Sequence, residues 1–283
     1  MTGNTDRARS TVGPSSHPGP IGEVTGRASI ARVYDYWLGG KYNLAVDREL
    51  ADKLLDISSD AATLARENRA FLVRATRYVA KQGIQQYVDI GSGLPTSPNV
   101  HEVARTVVPG ARVVYVDRDP IVLAHGRALL EDAADGVAVV DGDMREPDSI
   151  LATPALRQII DFTEPVCVLL VSVLHFLTLR EAERAVARFT RHMAAGSFLV
   201  ISAGASSDRQ LTERFAATYT PERLTSHSPD EIASWFRGFE LAEPGLVEAQ
   251  EWRPDQLRSQ RRRTKAALIL AGVGRKSQRE SDA

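Results

Sequence analysis

Between Gln86 and Ser202, five short apolar runs alternate with four stretches of helical periodicity, and this spacing leaves few folds open to the chain. The runs fall at residues 87–90, 113–116, 138–140, 166–172 and 198–202, and they are continuously apolar, as strands buried on both faces are. The helical stretches between them are expected at 99–108, 120–132, 148–160 and 180–193. A strand–helix–strand repeat of this kind builds right-handed parallel units, so the expected fold is an α/β sheet with helices on both faces. After Ala203 the rhythm changes. Helices at 208–219 and 229–236 lead to strands near 241–247 and 266–270 with no helix between them, which predicts an antiparallel pair at one edge of the sheet.

The segment before the first strand is helical in pattern. Ile30, Val33, Tyr34 and Trp37 recur at helical spacing after Ser29, an available N-cap, and Gly39 and Gly40 end the run. A second helix starts near Ala45 and carries Leu50, Leu54 and Leu55; a third, at 62–80, carries Phe71, Leu72, Ala75 and Val79 and stops at Gly83. The expected organisation is therefore a disordered tail at 1–26, a helical cap at 27–83, one α/β domain at 84–273 and a flexible tail at 274–283. Residues 10–20 are dominated by Ser, Pro and Gly, and such a segment buries too little surface to offset the entropy of ordering.

Charge and cysteine content exclude several classes of function. Lys and Arg total 35 against 36 Asp and Glu, so the chain has no broad positive field, and nucleic acid is not an expected partner. One local basic run, Arg258, Arg261, Arg262, Arg263 and Lys265, is read as a solvated loop. The single cysteine, Cys167, lies in an apolar run, so neither an internal disulfide nor a thiolate metal cage is available and no metal is expected. Residues 1–9 lack the apolar core of a secretory leader, and the longest hydrophobic stretch, 166–177, is too short for a bilayer. A cytoplasmic protein without membrane contact is expected.

The chemistry concentrates at the ends of the first three strands. The first runs as YVDIGSGLPT, in which Gly91 and Gly93 permit positive φ and let a ligand approach the backbone, with Asp89 just before the turn. Thr96 stands where a dinucleotide fingerprint places its third glycine, which counts against NAD or FAD. The second strand ends in Asp117, roughly 20 residues beyond the turn, where open α/β sheets place an acid that accepts from ribose hydroxyls. Arg118 follows and is a candidate reader of a 2′-phosphate. At the end of the third strand, Asp143 is a candidate acceptor for an adenine amino group, with Met144 supplying a backbone amide or an apolar wall.

This ordered set resembles the class I S-adenosylmethionine (SAM) dependent methyltransferases. In detail it resembles one bacterial family among them, the S-adenosyl methyltransferases formerly classed as a domain of unknown function. The phrases that carry the resemblance are SIARVYDYWLGGKYNLAVDREL, ARENRAFLVRATRYVAKQGIQQYVDIGSGLPTSPNVHEVA, RVVYVDRDPIVLAHGRALL and VCVLLVSVLHFL, within residues 29–177, with weaker similarity through Val273, Gly274, Arg275 and Lys276. The resemblance implies a Rossmann-like seven-stranded sheet, mostly parallel with an antiparallel last strand. It also implies SAM at the strand C-termini, S-adenosylhomocysteine as product and a helical N-terminal cap over the site. Gly91, Gly93, Asp117 and Asp143 take the positions of its glycine turn, ribose acid and adenine-side acid.

Methyltransferases acting on exocyclic amino or amide nitrogens commonly carry Asn or Asp, Pro, Pro and an aromatic after the fourth strand. Here Ser172, Val173, Leu174, His175 and Phe176 stand there, a pattern similar to small-molecule O- and C-methyltransferases. Two roles are open to His175: a general base on an acceptor hydroxyl, or a packed side chain satisfied by the backbone. Tyr34, Tyr36, Trp37 and Tyr42 cluster in the cap beside Asp35, Lys41 and Asn43, and rings there would exclude water and face a sulfonium. Asn68, Arg69, Asn99 and His101 are further candidates to reach the ligand, Arg69 by pairing the methionine carboxylate of SAM. The acceptor implied is a small molecule. A non-catalytic SAM-binding regulator and an NAD(P)-dependent oxidoreductase are the alternative readings.

Overall fold

The computed structural model describes residues 26–131, 135–206, 208–219, 222–255 and 268–277. The basic run at 258–265, the expected N-terminal tail apart from Gly26, and residues 278–283 lie outside the described residues.

Three helices come first: α1 (Ile30–Leu38), α2 (Ala45–Ile57) and α3 (Ala61–Lys81). Gly39 ends α1 in the left-handed conformation, φ +82°, as the sequence leads one to expect. Ser29 occupies the N-cap position but does not cap; its hydroxyl donates to Asp119 at 2.5 Å and its N–H to Asp47 at 2.9 Å. Asp47 is fully buried and pairs with the buried Arg32 at 2.7 Å, which pins α1 to α2. Val33, Leu50, Ala51 and Leu54 form a small core of their own with Phe176 and Tyr219. The second half of α3 belongs to the domain beneath: Phe71, Leu72, Ala75 and Val79 pack with Tyr87, Cys167, Phe198 and Trp252 against one sheet face. The cap is thus α1, α2 and the start of α3, and it runs into the domain instead of ending at residue 83.

The sheet holds β1 (Gln86–Ile90), β2 (Arg112–Asp117), β3 (Val137–Asp141), β4 (Cys167–Val171), β5 (Phe198–Ala205), β6 (Phe239–Leu241), β7 (Val247–Glu248) and β8 (Leu268–Lys276). Its order is β3-β2-β1-β4-β5-β8-β6, with β7 also on β8. The first five strands are mutually parallel, with Val88 beside Val114 on one side and beside Val168 on the other. β8 inserts antiparallel between β5 and the edge, pairing Val200 with Val273. Because the chain leaves β1 toward β2 and β3 and returns to β4, strand order reverses between β1 and β4, and a crevice opens at the strand C-termini there.

The strand count is eight where seven were expected. The predicted strand at 241–247 divides into β6 and β7 because Pro244 has no N–H to give the ladder and Gly245, φ +90°, turns the chain out. Both pieces pair antiparallel with β8, Leu241 with Gly274 and Val247 with Ala271, so they share one position in the sheet. β8 continues to Lys276, so residues 274–276 belong to the sheet and not to a tail.

Between strands lie α4 (Val100–Arg105), α5 (Pro120–Gly126), α6 (Pro147–Ala152), α7 (Pro154–Ile159) and α8 (Leu179–His192). The helix expected at 148–160 is two, broken where Pro154 removes a donor and forces Thr153 into extended backbone. Two more, α9 (Arg209–Thr218) and α10 (Pro229–Ser234), precede β6. Among the described residues no helix is long and apolar enough to cross a membrane.

Candidate functional site

A cavity of about 880 Å³ sits at the C-terminal ends of β1 to β4 beneath α1. Of the residues singled out from sequence, Tyr34, Arg69, Asp89, Gly91, Gly93, Asp117, Arg118, Asp143, Met144 and Ser172 line it. The glycine turn after β1 is held by geometry that other residues could not satisfy. Gly91 has φ +70°, and a Cβ on it would stand 2.5 Å from Val173 Cγ1. The N–H of Gly93 donates to Asp117 Oδ2 at 2.9 Å, while Oδ1 accepts from Arg118 and Asp119 N–H at 2.8 and 3.0 Å. Asp117 therefore folds the turn as well as facing the cavity, and Oδ2 keeps one lone pair for a ligand hydroxyl.

Burial shapes the charges at this end. It pushes the Asp89 carboxyl up to about 7, with Arg69 opposing the rise and Asp117 adding to it. Asp117 is also raised by burial, against the three N–H groups that favour its ionised form. Arg69 donates to the carbonyls of Thr96 and of Pro98, the latter at 2.8 Å, and its Nε is buried with no partner among the described residues. A guanidinium on the cavity wall with a donor to spare suits an anionic ligand group.

At the other end Asp143 is enclosed by charge. Its Oδ2 lies 3.1 Å from both Arg118 and Arg145, its Oδ1 accepts from Arg145 N–H and guanidinium at 2.9 and 3.3 Å, and Glu222 closes the ring by pairing with both arginines. Two corrections follow. All the lone pairs of Asp143 are engaged here, so it receives an adenine amino group only when Arg118, the more exposed partner, moves aside. Arg118 in turn is neutralised by two carboxylates and is not a free reader of a 2′-phosphate. Glu222 carried no local signal in the sequence, since its partners are Arg118 and Arg145, far along the chain.

Ser172, the residue after β4, has φ +56°, a strained value for a residue with a side chain. Its N–H donates to both the carbonyl and the hydroxyl of Ser202, which donates to Asn68 at 2.6 Å; Asn68 donates to the Tyr34 hydroxyl, and Tyr34 to the carbonyl of Ala65. Two sheet strands, α3 and the cap helix are thereby tied to one strained residue. Asn68 reaches the cavity as expected, but Asn99 and His101 do not: Asn99 caps α4 and binds Thr96 N–H, and His101 packs on Tyr115.

His175 lies outside the first cavity and lines a second one, about 190 Å³ and largely apolar. Ile30, Tyr34, Ser172 and Phe176 line both. The carbonyl of His175 accepts from Thr225 N–H at 2.7 Å, and the turn Leu174–Phe176 is held by His227, whose Nε2 meets the Leu174 and Leu177 carbonyls. His175 Nδ1 accepts from Gly204 N–H at 3.4 Å, so in the neutral ring the proton sits on Nε2. Burial, with His227 adding to it, pushes the imidazole down to about 4. With Gly204 N–H directed at Nδ1 and the ring neutral, this arrangement favours the packed role of His175 over the general-base role. The aromatic cluster of the cap also divides: Tyr34 lines both cavities, Trp37 the second, Tyr36 turns to Asp52, and Tyr42 packs on His125 with the rings tilted at 44°. Asp35 is buried and closes the loop after α1 through Tyr42 N–H and Asn43.

Comparison with known proteins gives one consistent result. A family described as S-adenosyl methyltransferase matches residues 22–277. A candidate methyltransferase from Thermobifida fusca YX is 40% identical, with a TM-score of 0.85 over 93% of this chain and 100% of its own. A DUF574 family protein from Streptomyces avermitilis MA-4680 is 36% identical, with a TM-score of 0.84 over 89% of this chain and 98% of its own. No curated protein matches the chain.

Proposed function

The chain belongs to the S-adenosyl methyltransferase family, and from that premise we propose that it moves the methyl group of SAM to a small-molecule acceptor by O- or C-methylation. Membership leaves no place for the nicotinamide-dependent reading, which the missing third glycine already disfavoured. The observation that carries the proposal is the pair of cavities with a common wall: a large one lined in part by charged side chains at the strand ends, and a small apolar one beyond Tyr34, Ser172 and Phe176.

The first cavity fits the cofactor group by group. Asp117 Oδ2 would accept from a ribose hydroxyl, Arg69, whose Nε is buried without a partner among the described residues, would pair the methionine carboxylate, and Asp89, once ionised, would face the ammonium. Asp143 and Met144 bound the adenine end. SAM supplies an electrophilic methyl whose carbon–sulfur bond breaks, the pair going to sulfur, as an electron pair of the acceptor oxygen or carbon forms the new bond. Tyr34, His175 and Tyr219, the acid–base side chains of the second cavity among the described residues, are all held neutral by burial, so the acceptor's proton leaves to water. Catalysis then rests on holding the acceptor in line with the methyl, which is sufficient for a large acceleration.

The test is incubation with methyl-labelled SAM and a small-molecule extract, followed by separation of small from large products. Label in a small molecule together with S-adenosylhomocysteine is expected. Label confined to protein or nucleic acid refutes the acceptor class.

A further inference from the structure

The second cavity contains more than apolar surface. Two of its buried polar atoms, Trp37 Nε1 and Thr225 Oγ1, have no hydrogen-bond partner among the described residues. Buried donors in native proteins are almost always paired, so two orphans on residues that line one cavity mark side chains there with hydrogen-bonding capacity to spare. The Nε2–H of His175 is a third donor on the same wall, its Nδ1 being taken by Gly204. No Asp, Glu, Lys or Arg lines the cavity among the described residues, so an ionised occupant would be buried without a counter-charge. One side is a layered stack of rings, Phe176 on Tyr219 at 13° between planes and Phe215 on Tyr219 at 18°. Aromatic rings lining a cavity favour an aromatic occupant, which meets them offset-stacked or edge to face. A cavity of about 150 Å³ takes a benzene molecule, so about 190 Å³ takes one substituted ring.

We propose that the second cavity is the acceptor subsite and that it takes an uncharged, single-ring aromatic molecule bearing hydroxyl or carbonyl oxygens, read by Trp37, His175 and Thr225. This inference rests on the methyltransferase reading above and names the acceptor class for it. Ring oxygens accept from Trp37 and His175, and the Thr225 hydroxyl donates or accepts as the substituent requires. The shared wall of Ile30, Tyr34, Ser172 and Phe176 sets the ring beside the cofactor cavity.

The experiment proceeds in two arms. Calorimetry with S-adenosylhomocysteine comes first; no binding by the folded protein overturns the methyltransferase reading itself. The S-adenosylhomocysteine complex is then titrated with methyl para-hydroxybenzoate and with the para-hydroxybenzoate anion, followed by calorimetry and tryptophan fluorescence. The neutral ester binds, and the anion binds about tenfold or more weakly, the cost of burying an unpaired charge. Trp37→Phe and Thr225→Val each weaken the ester about fivefold, the loss of one neutral hydrogen bond. S-adenosylhomocysteine affinity is unchanged in both, since neither residue lines the first cavity. Leu211→Trp fills the second cavity and removes ester binding alone. An ester that fails to bind the S-adenosylhomocysteine complex, an anion that binds as well, or ester affinity indifferent to Leu211→Trp overturns the proposal.

Discussion

The raised carboxyl of Asp89 makes cofactor affinity a function of pH, with a sign and size that follow from the site. Ligand-free, the group titrates near 7, so about one-tenth of the protein carries the charge at pH 6 and about nine-tenths at pH 8. An ammonium beside it favours the ionised form, so binding expels the proton and only the ionised fraction is competent. Apparent affinity scales with that fraction, and S-adenosylhomocysteine should bind about tenfold more tightly at pH 8 than at pH 6, about 1.4 kcal/mol. The ligand's own amino group titrates near 8 and works against the trend at the upper end. Asp89→Asn removes the carboxylate while leaving the ligand's titration in place, so the difference between the two proteins isolates Asp89. Calorimetry across pH 6 to 8 in two buffers of different ionisation enthalpy reads both the affinity and the proton released. A wild-type affinity that is flat or falls with pH, or an Asn variant with the same slope, refutes the reasoning. The linked stability has the opposite sign: the folded protein holds this proton longer than the unfolded chain, so ligand-free stability declines as pH rises from about 4 to about 7.

Other outcomes are tied to single contacts. Asp117→Ala removes the acceptor for Gly93 N–H and the proposed ribose partner, and should weaken S-adenosylhomocysteine binding by about 2 to 4 kcal/mol in calorimetry; unchanged affinity rejects the role. Gly91→Ala sets a methyl 2.5 Å from Val173 at φ +70° and should lower stability in urea unfolding by about 1 to 3 kcal/mol, more than the same change at Gly110, where the space is open. Arg118→Ala frees Asp143 for the adenine and should leave affinity unchanged or raise it by up to about 1 kcal/mol, whereas weaker binding would make Arg118 a ligand contact. Asp47→Ala strands the buried Arg32 charge and should cost about 3 to 5 kcal/mol; a loss under about 1 kcal/mol would mean that water reaches the pair.

What the sequence made legible depended on how far apart the interacting residues lie. The five parallel strands were readable because each is a continuous apolar run whose neighbours are helical, a signal contained in a few residues. The glycine turn and Asp117 were readable because a sharp strand-to-helix turn and an acid on the next strand keep nearly fixed spacing in such sheets. The split of the edge strand depended on one proline and one glycine inside a run that otherwise scans as a single strand, and β8 decides the outcome by pairing both pieces. Ser29 looks like a cap locally, yet its hydroxyl is drawn to Asp119 across the fold.

The site divides along the same line. Side chains that point from strand ends into the crevice were assigned by position, and all of them reach the cavity. Side chains that bond to one another were not: the ring of Arg118, Asp143, Arg145 and Glu222, and the chain from Ser172 through Ser202 and Asn68 to Tyr34, join residues with no common local pattern. His175 shows the consequence for chemistry. From sequence a histidine after the fourth strand reads either as a base, because its ordinary pKa suits proton transfer at neutral pH, or as a packed side chain. One backbone N–H, from Gly204 on the neighbouring strand, occupies the lone pair and turns the ring into a donor. Which nitrogen carries the proton is set by the partner of the other, and that partner sits 29 residues away on a strand whose register the local sequence does not specify.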